Sequence, residues 1–339
     1  MLKPHPKKRA SPGRAARHRF YNVNLRPVFA LLFVGIMAAA AAPLLSGPAQ
    51  HAAHKELAAP PISCGSGAAL SISGISVSQG GLLLASLSAR VPLTSVRAKW
   101  DSQDISFWQS GANPASAAKA QIWHALVPVD LEKASGDYAL NVDMQAQAGA
   151  PACQLTIRVT AGKFATESLK VAPQFVEPNP EQLARAKAEQ QRLREIYATV
   201  TPKKLWQGKF QVPLVGATSG KNFGRRRVLN GQASSPHTGV DFPAPTGTPV
   251  HAAQAGRVVL AEPLYFAGNT VLIDHGLGVY TLYGHLSEIS VKVGDGLAAG
   301  ALLGKVGATG RVTGPHLHWG LIVSGARVNA LQIVSLPGL

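Results

Sequence analysis

Cysteine is scarce, with two residues, Cys64 and Cys153, in a chain of 339. That excludes a disulfide-dense miniprotein and any cysteine-rich zinc finger. Charge is scarce too, at 15% of residues against about 25% in an ordinary soluble chain. With 46% of residues hydrophobic, disorder is excluded as the main state. No segment recurs at a fixed period, which sets aside solenoids and propellers. Acids are the rarer sign, 17 Asp and Glu against 33 Lys and Arg, for a net charge of +16. Residues 1–26 contain no acid at all, and Lys3, Lys7, Lys8, Arg9, Arg14, Arg17, Arg19 and Arg26 place half of the excess there. What remains is too dilute to indicate nucleic acid as a partner.

From Pro27 to Gln50 no residue is charged, and the stretch Val28–Leu45 is apolar almost throughout. About 20 apolar residues in a helix match the ~30 Å hydrocarbon core of a bilayer. With the cations on its N-terminal side, the positive-inside rule makes 1–26 a basic cytoplasmic tail and 27–47 a transmembrane signal-anchor. The small residues Ala38–Ala42 and the Pro48-Ala49-Gln50 stretch also suit a cleavage site, so a signal peptide is the other reading of 27–47. The long basic region and the near-spanning length favour the anchor. Either way the bulk of the chain lies outside the cytoplasm. In an oxidising compartment Cys64 and Cys153 are expected to pair, closing a loop of about 90 residues worth about 4–5 kcal/mol.

Four regions follow. Residues 48–61, rich in Ala and Pro, read as a spacer. Residues 62–172 carry short apolar stretches at Leu70–Val77, Leu82–Val91, Ile122–Val129, Tyr138–Met144 and Leu155–Val159, separated by turn residues. That spacing predicts an N-terminal β-sandwich. Trp100, Trp108 and Trp123 are expected in its core rather than on a sugar-stacking face. A helical linker, 173–205, opens at Asn179 with Pro180 at the first helical position and Gln182 placed to complete a capping box, and runs to about Ala198. Leu183, Ala186, Leu193, Ile196 and Tyr197 form its apolar stripe. Its cations alternate with Glu181, Glu189 and Glu195, which predicts a solvated connector rather than a nucleic-acid face. Residues 206–339 consist of glycine-punctuated β-runs with no second long helical pattern, so the chain as a whole is mainly β.

The residues that can carry chemistry lie in this last region. His316 and His318, two apart in a strand, face the same side. His237 and Asp241 add an imidazole and a carboxylate four apart, and His285 a further imidazole. Zinc takes N and O ligands, and a catalytic site keeps three protein ligands and one open position. Two histidines and one aspartate meet that need and leave two histidines for proton handling. No glutamate stands beside the motif as in HExxH enzymes, so the base is expected to be histidine.

Around these residues a run of segments is similar to one family. Ser235–Asp241 (SPHTGVD), Pro245–Val250 (PTGTPV), Gly256–Val258, Ile273–Gly276 (IDHG), Tyr280–Leu286 (YTLYGHL), Val293–Asp295 and Gly307–Gly320 (GATGRVTGPHLHWG) resemble the M23 peptidases, the LytM or lysostaphin-type zinc endopeptidases. The sandwich and helix upstream are similar, more weakly, to the N-terminal part of some membrane-anchored members. The resemblance implies a LytM-type antiparallel β-sheet peptidase domain at 206–339, with one Zn2+ per chain held by His237, Asp241 and His318. His285 and His316 occupy the positions of the two catalytic histidines; His316 is expected as general base and His285 as oxyanion and orientation partner, with the exchanged roles as the alternative. The implied substrate is peptidoglycan, cut in its peptide stems or cross-links. Ser219–Gly224 departs from the family's Ser-Gly-Phe-Gly by two inserted residues, which bears on the shape of the cleft rim.

The combined expectation is a single-pass protein of the cytoplasmic membrane, held through 27–47, with its catalytic domain in the periplasm or extracytoplasmic space. Its partners are peptidoglycan and membrane, with no nucleic acid. The rival is a non-catalytic scaffold of the same fold, or an activator of a cell-wall amidase. The mark of that rival is missing ligands, and all five positions are filled here. His275, in a turn, is expected to be structural, and His251 and His124 to be packing or surface residues.

Overall fold

The computed structural model describes residues 60–65, 67–110, 120–146, 149 and 152–339. The basic tail, the 27–47 segment and nearly all of the 48–61 spacer lie outside the described residues. Among the described residues no helix is long and apolar enough to cross a membrane.

The first region is a sandwich of two five-stranded sheets. One sheet orders Ile62–Ser63, Ala68–Ile72, Leu82–Ala89, Gln121–Pro128 and Trp108–Ser110. The other orders Ser76–Ser78, Ala152–Thr160, Gly136–Ala146, Leu93–Trp100 and Gln103–Ser106. Alternation sets the faces: Val96, Ala98 and Trp100 are buried while Arg97 and Lys99 between them are not. The Leu70–Val77 run is two strands, not one, because the chain crosses from one sheet to the other at Ser73-Gly74. Cys64 and Cys153 are bonded, Cα–Cα 4.9 Å, and tie one sheet to the other.

Leu82-Leu83-Leu84 breaks the alternation, being buried at three successive positions. The reason is a second buried face. Leu83 belongs to the sandwich core, whereas Leu82, Leu84, Trp108 and Leu126 join a core continued by Trp206, Phe210 and the C-terminal sheet. Trp100 is in the sandwich core as expected and half-buried Trp123 packs against it, whereas Trp108 meets Trp206 edge-on at 5.3 Å and belongs to the second core instead. Arg327 bridges the same junction, pairing with Asp130 at 2.7 Å and with Glu132 at 2.7 Å.

The linker helix, Pro180–Ala198, carries the expected capping box: Asn179 accepts from the Gln182 N–H and Gln182 accepts from the Asn179 N–H. Its charged side is largely exposed, as its charge pattern suggested, but its apolar stripe is packed. Leu193, Ile196 and Tyr197 pack on Leu260, Leu264, Tyr280 and Ile322 of the C-terminal sheet, and Arg192 pairs with Glu262 of that sheet. The helix doubles back onto the domain that follows it. Thr166–Leu169, within the span read as sandwich, also belongs elsewhere: it pairs in parallel with Arg226–Leu229.

The C-terminal region is a nine-stranded sheet ordered Gly239–Pro243, His316–Val323, Val279–Ile289, Gly268–Asp274, Gly256–Leu264 and Gly296–Leu297, with the remaining strands paired off this path. Every pairing in it is antiparallel. A short helix that the sequence reading did not include, Ala330–Ser335, closes the chain; its Gln332 accepts the Leu82 N–H of the sandwich at 2.6 Å.

Candidate active site

Register brings the candidate residues together. Asp241 lies directly across from His318, and Pro243 across from His316. His237 stands just ahead of the Gly239–Pro243 strand. His318 Nδ1 is 2.9 Å and His237 Nε2 is 3.1 Å from Asp241 Oδ1, and the two nitrogens are 3.0 Å apart. His316 Nε2 is 3.6 Å from the same oxygen. The His285 ring centre lies 4.8 Å from that of His316 and 5.8 Å from that of His318. All five residues singled out in the sequence therefore face one another. Gly239 makes room for this: a Cβ there would meet His318 Nε2 at 2.6 Å and the Trp319 carbonyl at 2.7 Å.

The loop that differs from the family pattern fixes the geometry. Lys221, at φ +47°, turns the chain so that Asn222 reaches both partners. The Asn222 carbonyl accepts the His237 Nδ1–H at 2.8 Å, its Nδ2 donates to Asp241 Oδ2 at 2.8 Å, and its Oδ1 accepts the Asp241 N–H at 3.0 Å. Arg227 Nη2 lies 3.4 Å from the same Oδ2. Burial alone would raise the Asp241 pKa, but the hydrogen bonds and charges of His237 and His318 hold it well below the usual carboxylate range.

With its Nδ1–H committed to Asn222, neutral His237 turns the Nε2 lone pair onto an ionised carboxylate. Such a contact is held only by a proton or a cation between the two. A tetrahedral ion with bonds of about 2.0 Å spaces its donors by about 3.3 Å, close to the observed triangle. The group His237, Asp241 and His318 could hold a metal ion.

His285 is aimed by a β-bulge. Gly284 and His285 together stand opposite the single residue Thr270, between the pairs Val271–Tyr283 and Asn269–Leu286, and His285 takes φ +64°. That conformation is unfavourable for a residue with a Cβ, and here it turns the ring into the cleft. The His285 Nδ1–H donates to the Thr309 carbonyl at 2.8 Å. Burial, with the charges of His318 and His316, pushes its pKa down to about 3. Burial likewise pushes His318 down to about 4, against the hydrogen bond that Asp241 accepts from its ring. The His316 Nδ1–H donates to the Gly314 carbonyl at 2.8 Å.

Asp241, His285 and His316 open onto a cavity of about 260 Å³ whose further walls include Glu167, Arg227 and Arg311. Arg311 lies 4.5 Å over the Phe266 ring; burial, then the neighbouring Arg227 charge, lowers its pKa to about 10. Asn222, Arg227, Thr309 and Glu167 were not anticipated from the sequence. Only Asn222 left a signal, the two-residue departure at Ser219–Gly224. His275 is structural as expected: fully buried, its Nδ1 lies 2.7 Å from the Ala255 carbonyl and its Nε2 2.7 Å from Thr281 Oγ1. His124 contacts Ser86 Oγ at 2.9 Å, and His251 is half-buried in the Pro249–His251 strand.

Comparison with known proteins agrees with this geometry. Residues 235–330 match the model of Peptidase family M23. The peptidoglycan DD-endopeptidase ShyA of Vibrio cholerae serotype O1 is 50% identical over 98 residues, 29% of this chain and 23% of that protein. The DD-carboxypeptidase/endopeptidase Mpg of Neisseria meningitidis serogroup B is 41% identical over 132 residues, 39% of this chain and 30% of its own. The chain thus spans less than a third of the length of these curated relatives. A Pseudomonas aeruginosa crystal structure named for peptidase M23 aligns with a TM-score of 0.56 and 27% identity, over 76% of this chain and 94% of the other. That likeness extends beyond the catalytic sheet into the upstream region. Since the matched segment contains all five converging side chains, sequence and geometry point the same way, and residues 235–330 of the chain form a peptidase family M23 domain.

Proposed function

We propose that this chain is a zinc-dependent endopeptidase that hydrolyses peptide bonds in the stems or cross-links of peptidoglycan, outside the cytoplasmic membrane. One observation carries the proposal: His237, Asp241 and His318 converge within 2.9–3.1 Å while two further imidazoles face the same cavity as Asp241. Two nitrogens and one carboxylate oxygen suit zinc. When bound, zinc supplies Lewis acidity that polarises a carbonyl and lets water act as a nucleophile near neutral pH.

The chain's own residues do the rest. Asn222 and Arg227 fix the Asp241 carboxylate, and Asn222 fixes the His237 ring. His316, its Nδ1–H given to Gly314, turns an Nε2 lone pair into the cleft, where it takes the proton of the attacking water and returns it to the leaving amine. His285 is tied in the same way to Thr309 and presents an Nε2 acceptor that orients the water. The oxyanion role expected for His285 needs an Nε2–H, which the Thr309 contact leaves only to the imidazolium. A pKa near 3 makes that form scarce at neutral pH.

The substrate assignment draws on the relative named as a peptidoglycan DD-endopeptidase and on the one named as a DD-carboxypeptidase/endopeptidase. The location draws on the basic tail, the apolar 27–47 stretch, proposed as the membrane anchor, and the Cys64–Cys153 bridge. The test is the zinc-loaded full chain incubated with purified sacculi, with and without chelator, and mass analysis of what is released. Peptide fragments are expected that vanish with chelator. His316→Ala is expected to retain stoichiometric zinc yet cleave about 10²–10⁴-fold more slowly. Sacculi left intact by zinc-loaded protein, or lysis indifferent to chelator, would refute the proposal.

A further inference from the structure

We propose that Arg227 and Arg311 form a carboxylate-binding subsite beside the reacting centre, so that the peptide cut by this chain carries a free carboxylate on a residue flanking the scissile bond. The inference rests on the hydrolase reading above and adds to it the chemistry that selects the substrate.

The argument is one of unmatched charge. Both guanidinium groups line the same cavity of about 260 Å³ as Asp241, His285 and His316. The two carboxylates on that cavity already have partners. Asp241 is held by His237, His318, Asn222 and Arg227 Nη2, and Glu167 pairs with Arg225 at 3.1 Å. Among the described residues no carboxylate forms an ion pair with Arg311, and the buried Nε of Arg227 has no hydrogen-bond partner. Two cations facing one partly desolvated cavity repel each other, and an anion between them removes that cost.

The geometry suits a carboxylate in particular. Arg311 lies with its guanidinium 4.5 Å over the Phe266 ring. Such a contact occupies one side of the group and leaves its N–H edge available for the paired hydrogen bonds that a carboxylate accepts. Arg227 Nη2 is 3.4 Å from Asp241 Oδ2, which sets the subsite within about one residue of the centre. If Arg227 served only to support Asp241, the Arg311 charge in the same cavity would have no counterpart.

The test uses a cross-linked stem-peptide dimer joined through a D-alanyl–diaminopimelate bond. It is prepared as the free acid, with the diaminopimelate carboxylate beside that bond amidated, and with only a glutamate carboxylate farther along the stem amidated. Cleavage is measured as kcat/KM with the zinc-loaded full chain, and binding by calorimetry with its zinc-loaded His316→Ala variant. The free acid is expected to be favoured over the diaminopimelate amide by about ten- to a hundredfold, and to match the glutamate amide within about twofold. Arg311→Gln should narrow the first ratio to under about threefold, and Arg311→Lys, which keeps the charge without the planar fork, should leave an intermediate ratio. Because each ratio is taken within one variant, a loss of folded protein does not imitate the effect.

Equal cleavage of acid and diaminopimelate amide overturns the subsite and leaves the hydrolase reading standing. A preference that follows the glutamate carboxylate instead overturns its placement beside the scissile bond. Absence of cleavage, with Arg311-dependent tighter binding of the free acid, sinks the hydrolase reading and keeps the subsite. Absence of both cleavage and preference sinks both.

Discussion

Asn222→Ala is the most informative single change, because this one side chain makes two hydrogen bonds to Asp241, one of the residues that converge on the candidate metal position. The substitution removes the Nδ2–H donated to Asp241 Oδ2 at 2.8 Å and the Oδ1 that accepts the Asp241 N–H at 3.0 Å. The backbone carbonyl that positions His237 is left in place. A hydrogen bond to a buried carboxylate contributes about 1.5–3 kcal/mol and the neutral one about 1 kcal/mol, for a combined loss of about 2–4 kcal/mol. Part of that loss should appear in the metal site, since removing the group that orients a ligand weakens binding about 10- to 100-fold. The assay is zinc competition against a chelator of known affinity, alongside thermal unfolding of the zinc-free and zinc-loaded full chain. Asn222→Asp is the control: it keeps an oxygen at one position but sets a second carboxylate against Asp241, and is expected to bind zinc less well than Asn222→Ala. If Asn222→Ala held zinc as tightly as the parent, or if the aspartate variant held it better, the reasoning about this loop would be wrong.

Three further outcomes follow from the same geometry. Gly239→Ala should place a methyl group against the His318 ring and the Trp319 carbonyl, costing about 1–3 kcal/mol and lowering zinc affinity; a variant with unchanged melting temperature and affinity would count against the tight fit. His275 is fully buried and its pKa falls from 6.5 to about 4, so the folded state resists its protonation. Its contribution to stability is complete above pH ~6.5 and is lost as the pH falls toward 4, by about 3 kcal/mol, and His275→Gln should flatten that part of the denaturant-midpoint profile. Replacing Cys64 and Cys153 together by Ala should lower stability by up to about 4–5 kcal/mol, because the bond closes a separation of 89 residues; an unchanged denaturant midpoint would contradict the role of the bridge.

The features legible in the sequence were those set by local rules. The capping box at Asn179 and Gln182 depends on residues three apart, and the shared face of His316 and His318 depends on strand alternation. The core position of Trp100 followed from the size of its side chain. What escaped was set by partners distant in the chain. The linker helix has the composition of a solvated rod, yet Leu193, Ile196 and Tyr197 find an apolar surface that only the folded C-terminal sheet provides. Thr166–Leu169 reads like one more sandwich strand, and its pairing with Arg226–Leu229 is a matter of which edge lies nearer. At the site, the residues that resemble the family stood out, while Asn222 and Arg227 did not. Their work is done through a left-handed turn at Lys221 and a guanidinium that approaches Asp241 from another strand, and neither leaves a periodic trace.

The extra residue at Gly284-His285 ties the spacing of the chain to its chemistry. Excising Gly284 would restore an uninterrupted ladder between Val279–Ile289 and Gly268–Asp274, a change that ordinary strand energetics favours. The same shortening would put His285 where Gly284 now stands, directly across from His318, and take it out of the bulge. His237, Asp241 and His318 sit on other segments and would keep their places. A more regular sheet and an intact set of donors would then come with an imidazole taken off the φ +64° backbone that now aims it: at this point the irregular backbone is what decides where a ring lies.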